Sequence, residues 1–534
     1  MPVSRLLTTS PFSLTQTDRP AMSTLQNHIV GYPYQAWGHA RPLINLVARF
    51  VRLRPVTVTL MATDGFYDRI KNELARSFDA DEEELAARIR VIAIGDIQFL
   101  FSQDGDDHFK KAWKSIVSEE ELVCTKTGTR YAPLPKPKAI VIDFFAVEPF
   151  NSIKALSGNT VKIFSWYPGL TYAIFHLFGP EHLGGRGNLR LLIEEEVRRT
   201  GRPFKEIAEE TVLTPTGKLV RVPGMPAMYD HEHHPQVFPP IPDGMFTVLA
   251  RVYETFEASD GIFMFTPTSY EPEAVAATKG WFAETGRPAY AVGPLLPSAS
   301  KETAAANEKK QSAESSQIQE FLDATLKTSG EKSLVYISFG SMFWPSGNPD
   351  SIWAVLEVIM ELNIPFILSH ASPSAAKIPG EIQEKVKAYG KGVLSPWTPQ
   401  QLILDHPATG WFIAHGGHNG VTEAISAGVP QIVWPFGGDQ PLNAVHIADQ
   451  LQIGYELLEV RTGDGLKPIY RTGYTPKGTI EAIKAEVREV LQKAFGEDGA
   501  KKRARLAVLR KAVNGEWEEG GTSRKEAAEF LDSL

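Results

Sequence analysis

The chain has 534 residues, of which 43 % are hydrophobic and 22 % charged, so it can bury large cores and lacks the composition of a disordered protein. This length accommodates two or three domains of about 100–200 residues each. A formal net charge of −8 argues against a nucleic-acid partner, and the single cysteine, Cys124, excludes an internal disulfide framework and thiolate-rich zinc sites.

The first 26 residues are rich in Ser, Thr and Pro and contain no apolar run of signal-peptide length. We therefore predict a disordered N-terminal segment at 1–26. No stretch approaches the roughly 20 apolar residues of a membrane span. Together with the single cysteine, which fits a reducing compartment, this predicts a cytoplasmic protein.

Short apolar runs alternate with helical patterns over the first half of the chain, which is typical of βαβ units and a parallel sheet. The first run is followed by a loop and by a helix that we expect to start near Arg41. This region, 27–296, is predicted to be one Rossmann-like domain. Its predicted strands are 28–32, 56–61, 91–94, 139–143, 161–165 and 261–265.

The composition changes near Pro294. Residues 297–316 have low hydrophobicity and consist mostly of Ala, Ser, Lys and Glu, so we predict an exposed linker there. A second alternating series follows at 317–505, and 506–534 is predicted to be a C-terminal helix that packs back on the first domain. The predicted strands of the second series are 334–339, 366–369, 411–414 and 431–434.

Two similar α/β halves joined by a linker leave a cleft between them, where ligands often bind. This organisation alone fits a dehydrogenase, an epimerase or a transferase.

Residues 397–440 carry the most informative motif, WTPQQLILDHPATGWFIAHGGHNGVTEAISAGVPQIVWPFGGDQ. A buried strand leads into the small-residue turn HGGH at 415–418, where a ligand can approach the backbone closely. Asn419 is the expected N-cap of the following helix, and Gly428 its C-terminal stop. A strand, a glycine-rich turn and a helix N-terminus together predict an anion site. A tight connection without a ligand remains the alternative at this point.

Both ends of this segment add chemistry to the turn. The flat ring of Trp397 suits stacking on a base, and Asp439 with Gln440 offers acceptors for sugar hydroxyls. With these positions the segment resembles, in register and without a gap, the signature of the family 1 UDP-dependent glycosyltransferases, known in plants as the secondary-product glycosyltransferase box. Residues 334–341 also resemble the strand that opens the second domain of these enzymes.

The resemblance implies the GT-B fold, in which two Rossmann-like, doubly wound domains face a cleft. The N-terminal half then receives the acceptor, and the C-terminal half binds the UDP-sugar. It also implies donor-site roles for several residues. Trp397 stacks on uracil with Thr398 and Gln400 beside the base, Glu423 binds the ribose hydroxyls, His415, Asn419 and Gly420 hold the diphosphate, Ser341 contacts the diphosphate or leaving oxygen, and Asp439 and Gln440 bind the sugar.

Two positions depart from the plant pattern. Plant enzymes usually carry Trp where this chain has His418 and Ser where it has Gly420. Glycine loses one hydroxyl contact to phosphate but keeps the backbone N–H. Because His418 is expected near the sugar, the donor stays open between UDP-glucose, which we place first, and UDP-xylose.

A catalytic pair is predicted at the edge of the first sheet. Transfer of a sugar to an alcohol needs removal of the hydroxyl proton, for which histidine is suited near neutral pH. His39 follows the first strand, and Asp143 ends another strand on the edge that we expect to be shared. By the resemblance, His39 is the general base and Asp143 its partner in an inverting reaction. Without the resemblance, they are an ordinary loop histidine and an ordinary strand-end carboxylate.

Three acidic or histidine-rich runs do not predict a metal site. Asp79 and Asp81 have the DxD form of metal-dependent glycosyltransferases but fit an acidic helix start. Residues 104–107 fit a turn that lacks the remaining ligands of a calcium loop, and 231–234 fit a polar loop. We therefore predict no metal and no cofactor, with the UDP-sugar as co-substrate.

The sequence thus predicts an inverting UDP-glycosyltransferase that moves a hexose, glucose first, to a hydroxyl group of a small lipophilic acceptor such as a terpenoid or phenolic compound. Neither nucleic acid nor integral membrane association is expected. The alternatives are the same chemistry with UDP-xylose and an NDP-sugar epimerase or hydrolase on the same fold. A nicotinamide-dependent oxidoreductase lacks its G-x-G-x-x-G after the first strand, and a silent UDP-binding protein would not need the His39–Asp143 pair.

Overall fold

The computed structural model describes residues 27–97, 103–237, 244–310, 314–372, 375 and 377–534. The predicted disordered segment at 1–26 lies outside these residues. Within the described part of the chain, two parallel sheets of seven and six strands carry helices on both faces. This is the predicted α/β architecture with two Rossmann-like domains.

The strands are short and largely buried, in keeping with parallel sheets covered on both faces. In chain order they are β1 Asn27–Tyr32, β2 Val56–Ala62, β3 Ile89–Ala93, β4 Leu122–Val123, β5 Arg130–Tyr131, β6 Ala139–Asp143, β7 Lys162–Tyr167, β8 Leu219–Val220, β9 Met228–Tyr229, β10 Gly261–Met264, β11 Ala289–Ala291, β12 Leu334–Ser338, β13 Phe366–Ser369, β14 Gly392–Ser395, β15 Thr409–Ala414, β16 Gln431–Val433 and β17 Tyr455–Glu456.

The helices are α1 Trp37–Leu53, α2 Asp64–Leu74, α3 Glu83–Ala86, α4 Gln103–Val117, α5 Val147–Ser157, α6 Thr171–Phe178, α7 Leu189–Thr200, α8 Phe204–Leu213, α9 Met245–Ala258, α10 Pro272–Ala283, α11 Lys301–Lys309, α12 Ser315–Ser329, α13 Asp350–Glu361, α14 Gly380–Tyr389, α15 Gln400–Asp405, α16 His418–Ala427, α17 Gln440–Val445, α18 Ile480–Ala494, α19 Glu497–Gly515 and α20 Thr522–Asp532. Short 3₁₀ turns lie at Ala80–Glu82, Glu181–Leu183, Asp230–His233 and Gly463–Leu466, and a π-helical turn at His446–Gln450.

The first sheet has the strand order β11-β10-β7-β6-β1-β2-β3. Its β1 pairs in parallel with β2 on one side and with β6 on the other. The direction of winding therefore reverses between β1 and β6. In open α/β sheets, the carboxyl ends of the strands at such a switch point form a crevice for ligands.

The second sheet has the order β14-β13-β12-β15-β16-β17 and reverses between β12 and β15. Each sheet has buried apolar clusters on its two faces. A further buried cluster contains residues of both domains, among them Leu170, Tyr172, Val421 and Ile425. The two domains thus share an apolar contact in addition to the linker.

All ten strands predicted from the sequence are confirmed, with ends shifted by at most two residues. The strands that the sequence did not reveal are two to four residues long and lie at sheet edges or in small hairpins. So few residues carry little periodicity.

Helix α1 begins at Trp37 rather than near Arg41. Its N-cap, Ala36, makes no side-chain capping bond, so the sequence gives no starting signal there. Pro42 lies inside α1, although proline is most frequent in the first turn of a helix.

The predicted linker is more ordered than an exposed connection. Helix α11 lies within 297–316, and the side chain of its Glu308 is buried. The segment 506–534 holds the end of α19 and then α20. Helix α20 packs on the first domain, against β11 and α1, and Glu516, directly after α19, accepts the Ser269 amide of that domain at 2.9 Å.

Residues 104–107 lie in the first turns of α4 and not in a turn between elements. Asp79 accepts hydrogen bonds from the backbone amide of Ser300 (2.9 Å) and the hydroxyls of Ser300 and Thr303, so it fixes the start of α11. Among the described helices, none is long and apolar enough to cross a membrane.

Candidate active site

His39 and Asp143 meet at the switch point of the first sheet. His39 lies in the first turn of α1, directly after β1, and Asp143 ends the adjacent strand β6. The His39 Nδ1 atom lies 2.9 Å from Oδ2 of Asp143. The Asp143 side chain is fully buried, and its Oδ1 accepts the backbone amide of Phe145 at 3.0 Å. His39 keeps 21 % of its side-chain surface exposed, so its ring reaches the cleft.

This arrangement fixes the orientation of the imidazole. A carboxylate only accepts hydrogen bonds, so the hydrogen lies on Nδ1 and Nε2 presents its lone pair. The ring of His39 lies among aromatic side chains, with ring centroids 5.4 Å from Tyr34, 5.7 Å from Phe144 and 5.3 Å from Phe145. The pair can accept a proton beside an apolar, aromatic wall.

The switch point of the second sheet carries the glycine-rich turn. It joins β15 to α16, whose N-cap is Gly417. Gly416 has a φ of +82°, and a Cβ there would lie 2.6 Å from Val433. A Cβ on Gly417 would lie 2.4 Å from His415 Nε2. Side chains are therefore excluded at both positions, so a ligand could approach the backbone closely at the start of α16.

Asn419 is not the N-cap that the sequence suggested, because α16 already begins at His418. The predicted stop is confirmed, since Gly428 ends the helix with a left-handed φ of +83°. The side chain of Asn419 instead crosses the cleft, where its Nδ2 donates to the Gly38 carbonyl at 2.8 Å.

His415 lies at the floor of this turn. Burial lowers its pKa to about 4, so the ring is neutral near pH 7. It lies 5.7 Å from the ring of Phe343, and a Cβ on Gly340 would come within 3.0 Å of it. Ser341 follows Gly340 and is exposed at the end of β12.

The residues predicted to surround the uracil ring lie on and before α15. Trp397 is partly exposed, and the Thr398 hydroxyl lies 2.8 Å from the Tyr336 hydroxyl. Gln400 Nε2 donates to Glu423 Oε2 at 2.5 Å. This bond links α15 to α16, so the predicted base and ribose residues form one connected group.

Asp439 and Gln440 lie at the start of α17. The Gln440 Oε1 atom accepts the backbone amides of Phe436 (2.9 Å) and Gly437 (3.3 Å), which leaves its NH₂ group for other partners. Asp439 Oδ2 accepts the amide of Leu170, from the other domain, at 3.1 Å. Burial raises the pKa of Asp439 to about 6, although this Leu170 bond and the nearby His39 act in the opposite direction. Asp439 and His39 therefore share one cleft.

The two departures from the plant pattern have different surroundings. The ring of His418 is buried and its Nε2 donates to the Phe265 carbonyl, at the end of β10, over 2.8 Å. Its side chain thus lies against the first domain. Gly420 is buried, and its carbonyl accepts Gln431 Nε2 at 3.0 Å.

Several contacts across the cleft were missed by sequence reasoning. Arg41 Nη1 donates to Glu423 Oε1 at 2.5 Å, and the Leu170 amide and the Gly38 carbonyl bind Asp439 and Asn419. Each joins residues far apart in the chain, and two use backbone atoms, which have no sequence signal. The one available hint was Arg41, a charged residue two positions after the predicted base.

The histidine-rich run at 231–234 lies in the 3₁₀ turn Asp230–His233 and directly after it, with residues 231–233 buried, and is not a polar loop. His231 and His233 are each 5 % exposed, and the ring of His233 stacks on His176 with centroids 3.8 Å apart. Among the residues that the structure describes, no group of three or more His, Cys, Asp or Glu side chains is arranged to hold a metal ion.

Two facing Rossmann-like domains, with a glycine-rich turn before a helix on one and a His–Asp pair on the other, fit the GT-B class of nucleotide-sugar-dependent glycosyltransferases. A family described as UDP-glucoronosyl and UDP-glucosyl transferase matches residues 244–462. The chain is 31 % identical to the UDP-glycosyltransferase eriJ of Hericium erinaceus, over 96 % of this chain and 100 % of that protein.

It is also 26 % identical to UDP-glycosyltransferase 73B4 of Arabidopsis thaliana, over 96 % of this chain and 99 % of the relative. Among solved structures, a Siraitia grosvenorii UGT transferase in complex with UDP matches with a TM-score of 0.65 at 20 % identity, covering 95 % of this chain and 99 % of that one. The chain belongs to the UDP-glycosyltransferase family, and it is a UDP-dependent glycosyltransferase with the GT-B fold.

Proposed function

We propose that this enzyme transfers glucose from UDP-glucose to a hydroxyl group of a small lipophilic acceptor, with inversion at the anomeric carbon and without a metal ion. The observation that carries the proposal is the His39–Asp143 pair at 2.9 Å, facing the cleft from the switch point of the first sheet. The donor residues Asp439 and Asn419 come from the opposite domain and reach the same cleft.

In the proposed reaction, the acceptor hydroxyl gives its proton to Nε2 of His39 as its oxygen bonds to the anomeric carbon. The bond between that carbon and the diphosphate oxygen breaks, and UDP leaves. Asp143 holds the Nδ1 hydrogen and stabilises the imidazolium as it forms. The amides at the start of α16 stabilise the charge that develops on the diphosphate.

Support for the acceptor class comes from the aromatic rings of Tyr34, Phe144 and Phe145 around His39, which favour a flat apolar molecule. Support for glucose comes from relatives named anthocyanidin 3-O-glucosyltransferase, to which 38 % of the chain aligns at 30 % identity. The family resemblance supports donor-site roles for Ser341, Trp397, Thr398, Gln400, His415, His418, Asn419, Gly420, Glu423, Asp439 and Gln440, as expected from the sequence.

The test is release of UDP from UDP-glucose and UDP-xylose with phenolic and terpenoid alcohols, in excess EDTA, with products identified by mass. His39→Ala should lower kcat by about 10²–10⁴-fold, as expected for loss of a general base, while UDP affinity stays unchanged. His182→Ala is the matched control, because His182 is exposed and pairs with Glu284 outside the cleft. Acceptor-dependent activity that EDTA abolishes, or full activity of His39→Ala, would contradict the proposal.

A further inference from the structure

The side chain of Glu423 is held from both domains. It lies on α16 and is only 3 % exposed. Its Oε2 accepts Gln400 Nε2 at 2.5 Å from the same domain, whereas its Oε1 accepts Arg41 Nη1 at 2.5 Å from α1 of the first domain. Each carboxylate oxygen has two lone-pair directions, so one direction on each oxygen stays available. A pair of adjacent hydroxyls is the donor set that fits such a carboxylate.

Arg41 is itself fixed by further buried charges. Its Nε donates to Glu73 Oε1 at 2.9 Å, and the other oxygen of Glu73 accepts Arg76 Nη1 at 3.0 Å. Arg76 continues to Glu308 of α11, with an N···O distance of 3.6 Å. The side chains of Glu423, Arg41, Glu73, Arg76 and Glu308 therefore form a row of alternating charge from the cleft to the linker helix.

Within this row, the charged forms of Arg41 and Glu73 are favoured by their partners. Burial by itself lowers the pKa of Arg41, but the carboxylates of Glu423 and Glu73 outweigh it and raise that pKa above its ordinary value. Burial would raise the pKa of Glu73, but Arg41 and Arg76 lower it to about 2. Arg41 is thus a fixed, fully charged group, and its planar guanidinium can set the rotation of a carboxylate.

We propose that Arg41 is a positioning residue for the donor: from the acceptor-binding domain it holds the Glu423 carboxylate in the orientation that receives the ribose hydroxyls of the UDP-sugar. This inference rests on the proposed ribose role of Glu423. Donor recognition then also depends on a residue outside the 397–440 segment. The same turn of α1 carries His39, so the group that orients the ribose contact and the catalytic base belong to one rigid element.

The experiment compares the affinities of UDP and 2′-deoxy-UDP by calorimetry for the wild type, Arg41→Met and Arg41→Lys. The wild type should prefer UDP. Arg41→Met should lose about tenfold or more in UDP affinity, keep nearly the same affinity for 2′-deoxy-UDP, and so lose the preference. Arg41→Lys keeps the positive charge but not the planar guanidinium, and it should retain part of the preference for UDP.

Arg49→Met is the matched control. Arg49 lies on the same helix, and its Nη1 donates to the Leu296 carbonyl at 3.0 Å, away from the cleft, so the preference should persist. Equal loss for both nucleotides in Arg41→Met and Arg41→Lys would mean a structural role and overturn the proposal. Unchanged or tighter UDP binding in Arg41→Met would overturn it as well.

Failure of the proposed function would give results different from failure of the role proposed for Arg41. If the wild type binds neither nucleotide, the donor site is wrong. If the wild type binds both equally, the ribose contact of Glu423 is wrong, and the role of Arg41 falls with it.

Discussion

The hydrogen bond between His39 and Asp143 does two things for the histidine. It selects the tautomer with the lone pair on Nε2, and it places a buried negative charge where an imidazolium would form. A second hydrogen bond, donated by the backbone amide of Phe145 to Asp143, keeps the carboxylate in that orientation. A neutral amide at position 143 would keep the shape but not the charge or the tautomer.

We therefore expect Asp143→Asn to lower kcat by about 10²–10⁴-fold, because an amide can donate to Nδ1 and force the hydrogen onto Nε2. UDP affinity should not change, since the Asp143 carboxylate binds His39 and the Phe145 amide and none of the proposed donor residues. Steady-state kinetics with calorimetry for UDP would check both. Asp260→Asn, a change at a partly exposed carboxylate that pairs with Lys162, should leave kcat as in the wild type. Full kcat in Asp143→Asn would show that Asp143 has no role in the mechanism.

His418 leads to a prediction about stability and pH. Burial lowers its pKa to about 4, an effect only partly offset by its hydrogen bond to the Phe265 carbonyl. Between pH 6.5 and 4 the unfolded chain binds a proton that the folded protein does not bind. Neutral His418 therefore contributes stability above about pH 6.5, and this contribution is lost as the pH falls towards 4.

His418→Gln keeps a donor for the Phe265 carbonyl but does not titrate. The free energy of unfolding of the wild type should fall relative to His418→Gln by up to about 3 kcal/mol between pH 6.5 and 4, at about 1.4 kcal/mol per pKa unit. Urea unfolding across this range measures the difference. In His182→Gln, at an exposed site, the free energy of unfolding should fall with pH as much as in the wild type. Parallel curves for the wild type and His418→Gln would contradict the argument.

At the scale of elements, the linker helix α11 is more than a connection. Ser300 caps its start by accepting the amide of Thr303, and Asp79 holds Ser300 from the first domain. At its other end, Glu308 accepts the backbone amides of Gln401 (3.2 Å) and Leu402 (3.1 Å) in the first turn of α15. The linker thus bridges the first domain and the helix that carries Gln400.

We expect Glu308→Ala to destabilise the protein by about 1–3 kcal/mol, because two partly buried amides lose their acceptor. It should also weaken UDP binding, since α15 is the element that positions Gln400. Thermal unfolding and calorimetry would measure the two effects. Glu302→Ala, on the exposed side of the same helix, should change neither. Equal behaviour of the two variants would show that the linker helix does not support α15.

The sequence contained the signals for α11, namely a serine at the N-cap followed by alanine-rich residues of high helix propensity. Low hydrophobicity led instead to the prediction of an exposed linker. The strands and the turn at 415–418 were predictable because their patterns are local. The partners of Glu423, Asp439 and Asn419 were not, because those contacts join two domains and depend on how the domains face each other.

At the scale of the whole molecule, the chain returns to its first domain at the end. Helix α20 places Phe530, which is fully buried, against the rings of Phe50, Phe164 and Phe263 at centroid distances of 5.4, 4.9 and 4.8 Å. Its Glu526 accepts the Ala291 amide, at the edge of the first sheet, over 2.6 Å. The last helix therefore completes the core of the first domain.

Phe530→Ala should destabilise the first domain by about 3–5 kcal/mol, the usual cost of truncating a buried aromatic residue. Chemical denaturation followed by tryptophan fluorescence should show an earlier transition. Phe495→Ala is a matched control, because Phe495 is 41 % exposed and should cost much less. Similar losses in both variants would mean that α20 is not part of the core.

This return of the chain has a consequence for biosynthesis. The edge strand β11 ends at Ala291, but the ring that covers the sheet beside it comes only at Phe530. At about 5–20 residues per second, a ribosome needs roughly 10–50 s to make the intervening residues. During that interval the rings of Phe50, Phe164 and Phe263 lack their contact with Phe530. The order of translation therefore delays completion of the first domain until the second domain has been synthesised.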